Sequence, residues 1–285
     1  MSLRAVSPAF LACALALVVF SPLARGQVDS GVTAPFVTTP SEVVDRMLAL
    51  AGTAPSDYVV DLGSGDGRIV IAAAKKFGAR GLGLELDPML VAQSRENARA
   101  AGVADRTEFR VEDVLRADFS SATVVTVYLL PWLMAQLSPL FLDGLKPGAR
   151  IVTHAFVFPS WKPDRVEKVR LAVPHPSQGD ESTIYMWVVP ANARGVWRAA
   201  SPEGRLRLRI DQNFQEIEVE GEMQDSKLTV SEAKLEGDRL SFSGTASGRQ
   251  GGTPFVFRGR LEGARLAGQA EFGPEKRVVP LVFAK

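Results

Sequence analysis

Between Tyr58 and Asp87 the chain passes from an apolar run through a glycine-rich turn into a helical pattern, then into a second apolar run that ends in acid. The turn reads Asp61-Leu62-Gly63-Ser64-Gly65-Asp66-Gly67-Arg68. The order leaves few architectures open. A short, wholly apolar run such as Tyr58 to Leu62 is a buried parallel strand. The glycines permit a tight turn and close approach of backbone to a ligand. Ile69 to Phe77, rich in alanine and lysine, continues as a helix, and about Gly81 to Leu86 forms the next strand. This is a βαβ unit suited to a nucleoside. Glu85 falls at the second strand's end, where a carboxylate can accept hydrogen bonds from both ribose hydroxyls. A dinucleotide fingerprint, G-x-G-x-x-G, needs its third glycine at position 68, which holds Arg68. The spacing is instead Asp-x-Gly-x-Gly-x-Gly, and a third acid, Asp113, follows the next strand. A flavin or NAD site, or a turn that holds no ligand, are the alternatives.

The flanking pattern predicts an α/β fold. Ser41 is placed to cap a helix that runs to about Ala51. Pro88 opens a helix ending near Gly102, Thr107 to Val111 is a third strand, and Thr123 to Leu129 a fourth, central one. A helix from about Pro131 to Leu142 precedes the Lys146-Pro147-Gly148 turn and a strand from about Arg150 to Ala155. Alternation of this kind builds a doubly wound parallel sheet. Two more strands, near Val166 to Val173 and Thr183 to Val189, are joined by the turn-like Pro174 to Asp180 without a helix, which predicts an antiparallel edge. After Pro190 the period changes to two. Arg205, Arg207 and Arg209 alternate with Leu206, Leu208 and Ile210, and Glu216, Glu218 and Glu220 with Ile217 and Val219. Turns recur every ~10 residues, so the tail is an all-β barrel or sandwich. Its Arg and Glu rows read as solvated faces pairing across neighbouring strands. The expected organisation is a signal peptide over 1–26, a linker over 27–40, an α/β domain over 41–191 and a separable β-domain over 195–285.

Composition narrows the function. With 33 Lys+Arg against 32 Asp+Glu, and no basic cluster interleaved with aromatics, no nucleic-acid partner is implied. Arg4, the apolar run Ala9 to Phe20 and the small residues Ala24 and Gly26 before Gln27 form the pattern of a cleaved secretory signal. An uncleaved membrane anchor is the alternative, although the run is short for a span of ~20 residues. Cys13 is the single cysteine and lies in that segment, so the mature chain would hold no thiol. His154 and His175 are the two histidines, too few for a histidine-rich zinc site. No metal is expected.

The turn resembles motif I of the class I S-adenosylmethionine-dependent methyltransferases. A longer stretch is similar to one subgroup, the protein-lysine methyltransferases of the mitochondrial ATP synthase c-subunit and the adenine nucleotide translocase, with their bacterial relatives. The residues that carry it are Pro35-Phe36-Val37, then Asp61 through Lys75, then Phe158-Pro159-Ser160-Trp161-Lys162-Pro163-Asp164. The resemblance covers about Ala34 to Pro190 and not the β-rich tail. It implies a Rossmann-like sheet and S-adenosyl-L-methionine as cofactor. It implies that Asp61, Gly63, Ser64, Gly65 and Gly67 cradle the methionine part, Glu85 the ribose, and Asp113 the adenine amine. Asp66 would order the turn or meet the cofactor amine. The chain departs from the superfamily at Thr126-Val127-Tyr128-Leu129-Leu130-Pro131, which has no acidic substrate motif of the Asp-Pro-Pro-Tyr kind.

Methyl transfer is an in-line displacement and requires alignment and desolvation of the acceptor. Tyr128 is the candidate to orient an amine, or else a packed strand-end tyrosine. His154 is the candidate proton acceptor, or else merely hydrogen-bonded. Trp161 would wall the acceptor site, or else lie in the core. The expected activity is N-methylation of lysine or another amine on an envelope or membrane protein by an exported enzyme. A non-catalytic nucleoside-binding envelope protein and a small-molecule methyltransferase are the rival readings.

Overall fold

Helices on both faces of a sheet force its strands to be apolar throughout, and this is what the first strands show. In the computed structural model, which describes residues 37–202, 204–224, 226–247 and 252–285, β1 (Tyr58–Leu62) is buried from Val59 onward. The expected signal segment with Cys13, and the linker up to Phe36, lie outside the described residues. The sheet adds β2 (Arg80–Glu85), β3 (Thr107–Val111), β4 (Val124–Val127), β5 (Arg150–His154), β6 (Arg165–His175) and β7 (Gly179–Val188) in the order β3-β2-β1-β4-β5-β7-β6. The first five are parallel, and β7 runs antiparallel to both its neighbours. Alternate residues serve opposite faces. Val59, Val124 and Val152 pack on Val43, Val44, Met47 and Leu48 of α1 (Ser41–Leu50) and on Ile69 and Ala73 of α2 (Arg68–Phe77). Val60, Val125 and Ile151 pack on Met134, Leu137 and Phe141 of α4 (Pro131–Gly144). On the α2 side, α3 (Pro88–Ala100) packs Val91 and Ala98 with Val70 and Ala74 of α2 and Phe109 of β3.

Three local expectations are corrected. Ser41 does not cap α1. Pro40 takes that position, and the Ser41 hydroxyl turns to Glu42. The fourth strand stops at Val127, so Tyr128 lies in the crevice loop beyond it. The last hairpin extends well into the stretch expected to be a turn. Pro174 looks like a breaker, but β6 is an edge strand, where a missing N–H costs no ladder bond, and Pro176 lies in the turn just past it. The ladder shifts register between Arg170 and His175, the stretch that holds Pro174.

No helix joins β5 to β6. Ala155 takes a left-handed φ of 66° and ends β5, and the segment 155–164 then folds its aromatics onto the open sheet face. Phe158 lies 4.7 Å from Trp187 between ring centroids, and the Trp187 indole donates to the Trp161 carbonyl.

The tail is an eight-stranded antiparallel barrel, β8 (Gly195–Ser201) to β15 (Arg277–Ala284), in simple meander order and closed between β15 and β8. Leu206, Leu208 and Ile210 of β9 (Gly204–Asn213) point into its core with Phe242, Phe255, Phe257 and Phe283. The Arg row faces out beside the Glu row of β10 (Glu216–Met223), with Arg207 and Glu222 3.4 Å apart. The barrel does not stand free of the sheet. The β9–β10 loop is two residues, and Phe214 within it has a φ of 53°, a costly conformation for a bulky residue. Its ring stacks on Trp161 at 5.5 Å and 8°, while Gln215 accepts from the Trp161 indole and donates to the Lys162 carbonyl.

Trp161 is therefore a keystone between the two parts. Trp161→Ala should cost about 3–5 kcal/mol, the usual range for a buried aromatic truncation, read as a drop in thermal midpoint. A chain ending at Ala193 would leave the same ring uncovered. It should melt lower than the full chain, and equal melting temperatures would show that the barrel lends the sheet nothing.

Candidate cofactor and acceptor site

The strand order reverses between β1 and β4, and the crevice at their C-terminal ends is where α/β sheets bind ligands. The glycine turn occupies it. Gly63 and Gly67 have φ values of 77° and 81°, and a Cβ on Gly63 would meet the Leu129 side chain at 2.8 Å. The turn is pinned from two sides. The N–H groups of Gly63 and Ser64 both donate to the Leu84 carbonyl of β2. From α3, Ser94 donates to the Gly65 carbonyl and Asn97 to the Asp66 carbonyl.

Glu85 is placed by three backbone donors. One carboxylate oxygen accepts from Leu86 and Asp87, the other from Gly65 at 2.9 Å. The carboxylate is thus immobilised beside the turn with lone pairs to spare for a diol. Asp61 lies beneath the turn, 2% exposed, and accepts from the Thr126 hydroxyl at 2.7 Å. Burial pushes its carboxyl up to about 7. The Thr126 hydrogen bond opposes this, and the charges of Glu85 and Asp66 add to it. Asp113 accepts from the Leu115 N–H just past β3 and remains partly exposed. A cradle without side chains, an anchored acid for a ribose and a buried acid for an ammonium fit an aminoacyl nucleoside.

Two further residues expected at the cofactor, Ser64 and Asp66, also have contacts within the turn itself. Ser64 packs its side chain under the turn against Gly83, whose Cβ would lie 2.6 Å from the hydroxyl, and its N–H is already taken. It shapes the turn. Asp66 gives its carboxylate to the Arg68 guanidinium, at 2.6 Å. Burial raises its pKa, but the hydrogen bonds and charge of Arg68 outweigh this and hold it below the usual range. Of the two roles foreseen for Asp66, ordering the turn is the one its contacts support.

Tyr128 and His154 meet at the ends of β4 and β5, with ring centroids 4.2 Å apart. Tyr128 is half-buried and lies next to Leu129, which touches the turn. His154 is wholly buried. Its Nδ1 faces the Thr39 hydroxyl, and its Nε2 faces the Ser182 hydroxyl and the Gln178 amide. Burial above all, then the neighbouring His175, push its pKa down to about 4 against the Gln178 contact. A neutral ring with both nitrogens engaged is a poor base, so the proton-acceptor expectation for His154 is corrected to a hydrogen-bonding hub. Trp161 is corrected likewise. It is 1% exposed in the barrel contact and lines no acceptor slot.

Sequence reasoning passed over Thr39, Arg68, Gln178 and Ser182. Gln178 donates to the Tyr128 hydroxyl at 3.3 Å and bridges it to His154. Arg68 donates to the Thr39 carbonyl and so ties the glycine turn to the segment that holds His154. A polar turn at the C-terminal edge of the sheet was the available signal, and it needed the strand order to be read.

The strand order, the acid-led glycine turn at its switch point and the anchored Glu85 define a class I S-adenosylmethionine-dependent methyltransferase. Comparison with known proteins agrees. The family described as ANTKMT methyltransferase domain matches residues 61–165. A protein-lysine N-methyltransferase from Saccharolobus islandicus (strain REY15A) is 37% identical over 156 residues, 54% of this chain and 93% of that one. A lysine N-methyltransferase of the ATP synthase c-subunit, from Xenopus laevis, is 39% identical over 132 residues, 46% of this chain and 58% of that protein, so little more than half its length is spanned. Among solved structures, an RNA methyltransferase from Salinibacter ruber in complex with S-adenosyl-L-homocysteine is 50% identical, with 53% of this chain and 93% of that chain covered and a TM-score of 0.48. The chain belongs to the ANTKMT-type family of methyltransferases, and its cofactor is S-adenosyl-L-methionine.

Asp61 gives cofactor affinity a pH dependence. A cofactor ammonium beside it favours the ionised carboxylate, whose population rises with pH through about 7. Affinity for S-adenosyl-L-homocysteine should therefore be roughly tenfold weaker near pH 6 than near pH 8. Calorimetric titration across that range checks it, and Asp61→Asn should flatten the profile. Glu85→Ala should weaken binding by about 1–3 kcal/mol, since it strands the groups its charge satisfies. Unchanged affinity would remove Glu85 from the site.

Proposed function

We propose that this methyltransferase N-methylates lysine on a membrane or envelope protein, and that the crevice at Tyr128 receives the amine. The observation that carries the reading is the position of Tyr128. Its hydroxyl is held by Gln178 at the mouth of β4, and Leu129 beside it touches the cofactor turn. The similarity to protein-lysine N-methyltransferases supports lysine as the acceptor. Asp61, Asp113, the anchored Glu85 and the backbone of Gly63, Gly65 and Gly67 would hold the cofactor, which supplies a methyl group on a sulfonium.

The chain's own part is alignment and desolvation. Tyr128, Phe156 and His154 form an aromatic patch, with Tyr128 and Phe156 stacked at 6.1 Å. An apolar wall disfavours the ammonium and favours the neutral amine, whose lone pair attacks. A Tyr128 oxygen that accepts from Gln178 has its own proton and remaining lone pair available to orient the amine. Because His154 is neutral with both nitrogens occupied, the acceptor proton leaves to solvent.

The reading includes export. Arg4, the apolar run Ala9 to Phe20 and Ala24-Arg25-Gly26 support a chain that is cleaved before Gln27 or anchored by that segment, which would bring it to envelope proteins. N-terminal sequencing of the protein from its native host decides this: Gln27 at the terminus supports cleavage, and an intact Met1 on a soluble cytoplasmic protein ends the export reading.

Turnover should rise with pH as the acceptor lysine deprotonates. Tyr128→Ala should lower kcat by about 10²-fold, the scale of a misplaced reactant, with little change in cofactor affinity. The assay is transfer of labelled methyl to envelope extract under saturating cofactor. Label on small amines alone would make the chain a small-molecule methyltransferase. Cofactor binding with no label anywhere would make it a nucleoside-binding module.

A further inference from the structure

Among the described strands, two seams of the barrel are only partly laddered, and one of them is unguarded. β10 pairs with β11 (Ser226–Glu236) at Met223, Glu222 and Gly221 and no further. From Glu220 back to Glu216 it keeps its β9 neighbour on one side and has no ladder on the other. Continuing the register would set Val219 opposite Val230, and there β11 loses register across Ser231. Such a bulge bends and twists the strand that carries it. The far ends of the two strands are also tied to different places on the α/β part. Phe214 and Gln215, before β10, hold Trp161 and Lys162, whereas the Gly237 carbonyl, after β11, accepts from the Ala191 N–H.

The open half of β10 is equipped to take a strand. Asn213 and Glu216 close a two-residue hairpin, so Glu216, Glu218 and Glu220 direct their backbone groups at β9, and Ile217 and Val219 direct theirs at the open side. The side chains of Ile217 and Val219 lie partly buried on the barrel core, and those of Glu218 and Glu220 stand outside, exposed. Glu218 is opposite Asp211, and the Arg209 opposite Glu220 turns to Asp211 instead, at 3.4 Å. Among the described residues neither glutamate has an ion-pair partner. The seam between β15 and β8 is laddered at Ala284 and Arg198 alone, but Pro280 lies along it, a usual guard of an open edge. The open half of β10 holds neither proline nor lysine, and its charges are all of one sign.

We propose that this β10 edge binds an extended polypeptide segment in which basic and apolar residues alternate. The segment adds as a strand beside Glu216–Glu220. Its backbone meets the N–H and C=O groups of Ile217 and Val219, its apolar side chains cover theirs, and its lysines or arginines stand beside Glu218 and Glu220. A second copy of this edge would set glutamate against glutamate, which is destabilising, so the partner is a different and basic chain. The site gives the barrel a role of its own, outside the matched methyltransferase region of residues 61–165, and it does not depend on the lysine reading above.

The probe is an end-blocked heptapeptide that alternates lysine and valine. Its control has the same composition with the lysines in one block. The full-length protein is titrated with each while amide hydrogen exchange is followed by NMR. In the free protein, Ile217 and Val219 should exchange faster than Gly221, which faces the same side and is laddered to Leu228. The alternating peptide should slow both. Exchange at Ile217 and Val219 already as slow as at Gly221 would show a closed seam and overturn the proposal, as would failure of the alternating peptide to bind. The control should bind about tenfold more weakly, the equivalent of one or two net hydrogen bonds. Equal affinity for the two peptides would reduce the site to general attraction by acid and overturn the added strand. Glu218→Gln combined with Glu220→Gln should weaken the alternating peptide about tenfold, the scale of two exposed ion pairs, and unchanged affinity would overturn the charge pairing. Val219→Pro deletes a donor on the open side, where a missing N–H costs no ladder bond, and it should abolish the protection of Ile217. Wild-type affinity and protection in that variant would exclude the edge. Should the proline variant fail to fold, the exchange data and the double glutamine variant decide.

Discussion

One carboxylate organises the cofactor end of this protein. Glu85 accepts backbone N–H groups from Gly65, Leu86 and Asp87. Hydrogen bonds to a charged group are worth about 1.5–3 kcal/mol each, so three of them fix the glycine turn to the end of β2. The Leu84 carbonyl takes two more N–H groups from the turn, and α3 satisfies two of its carbonyls. A turn with its polar groups already spoken for is pre-organised, and ligand binding needs little further ordering. The same anchoring leaves Asp61 dry beneath the turn, which is why its carboxyl is raised to about 7.

The acceptor side is tied to that turn by a continuous polar chain. Asp66 holds Arg68, Arg68 holds the Thr39 carbonyl, and the Thr39 hydroxyl meets His154. His154 meets Gln178, and Gln178 holds Tyr128. Five separate segments of chain contribute: the pre-α1 strap, the glycine turn, the ends of β4 and β5, and the β6–β7 tip. His154 is central to it because a neutral imidazole offers one donor and one acceptor at a fixed angle. Its low pKa of about 4 is a consequence of that burial.

Where a crossover helix would otherwise cover the sheet between β5 and β6, aromatic side chains do so. Phe158, Trp161 and Trp187 form a stack that Phe214 of the barrel completes. Phe214 keeps a left-handed backbone in a two-residue hairpin where glycine or asparagine would be easier. Its ring contact offsets the conformational cost. The barrel thus supplies part of the core of the sheet, and the two are packed as one unit although their periodicities differ.

The amino-acid sequence by itself determined the βαβ unit, the parallel sheet with its antiparallel final strand pairing, the β-meander tail, and the positions of Asp61, Glu85 and Asp113 at or just past the ends of β1, β2 and β3. All of these depend on local spacing: period, glycine placement and the distance from a turn to the next strand's end. Tertiary structure decided the rest. Trp161 looks equally apolar whether it walls a pocket or fills a core, and only the arrival of Phe214 and Gln215, more than fifty positions later, puts it in the core. His154 looks like a base until Thr39, Ser182 and Gln178 occupy both nitrogens. His175, Gln178 and their prolines read as turn residues, because nothing local reveals that β7 inserts between β5 and β6 and so carries the hairpin tip over Tyr128. Burial and hydrogen-bond partners are set by residues distant in the chain, and those are what turn a residue type into a role.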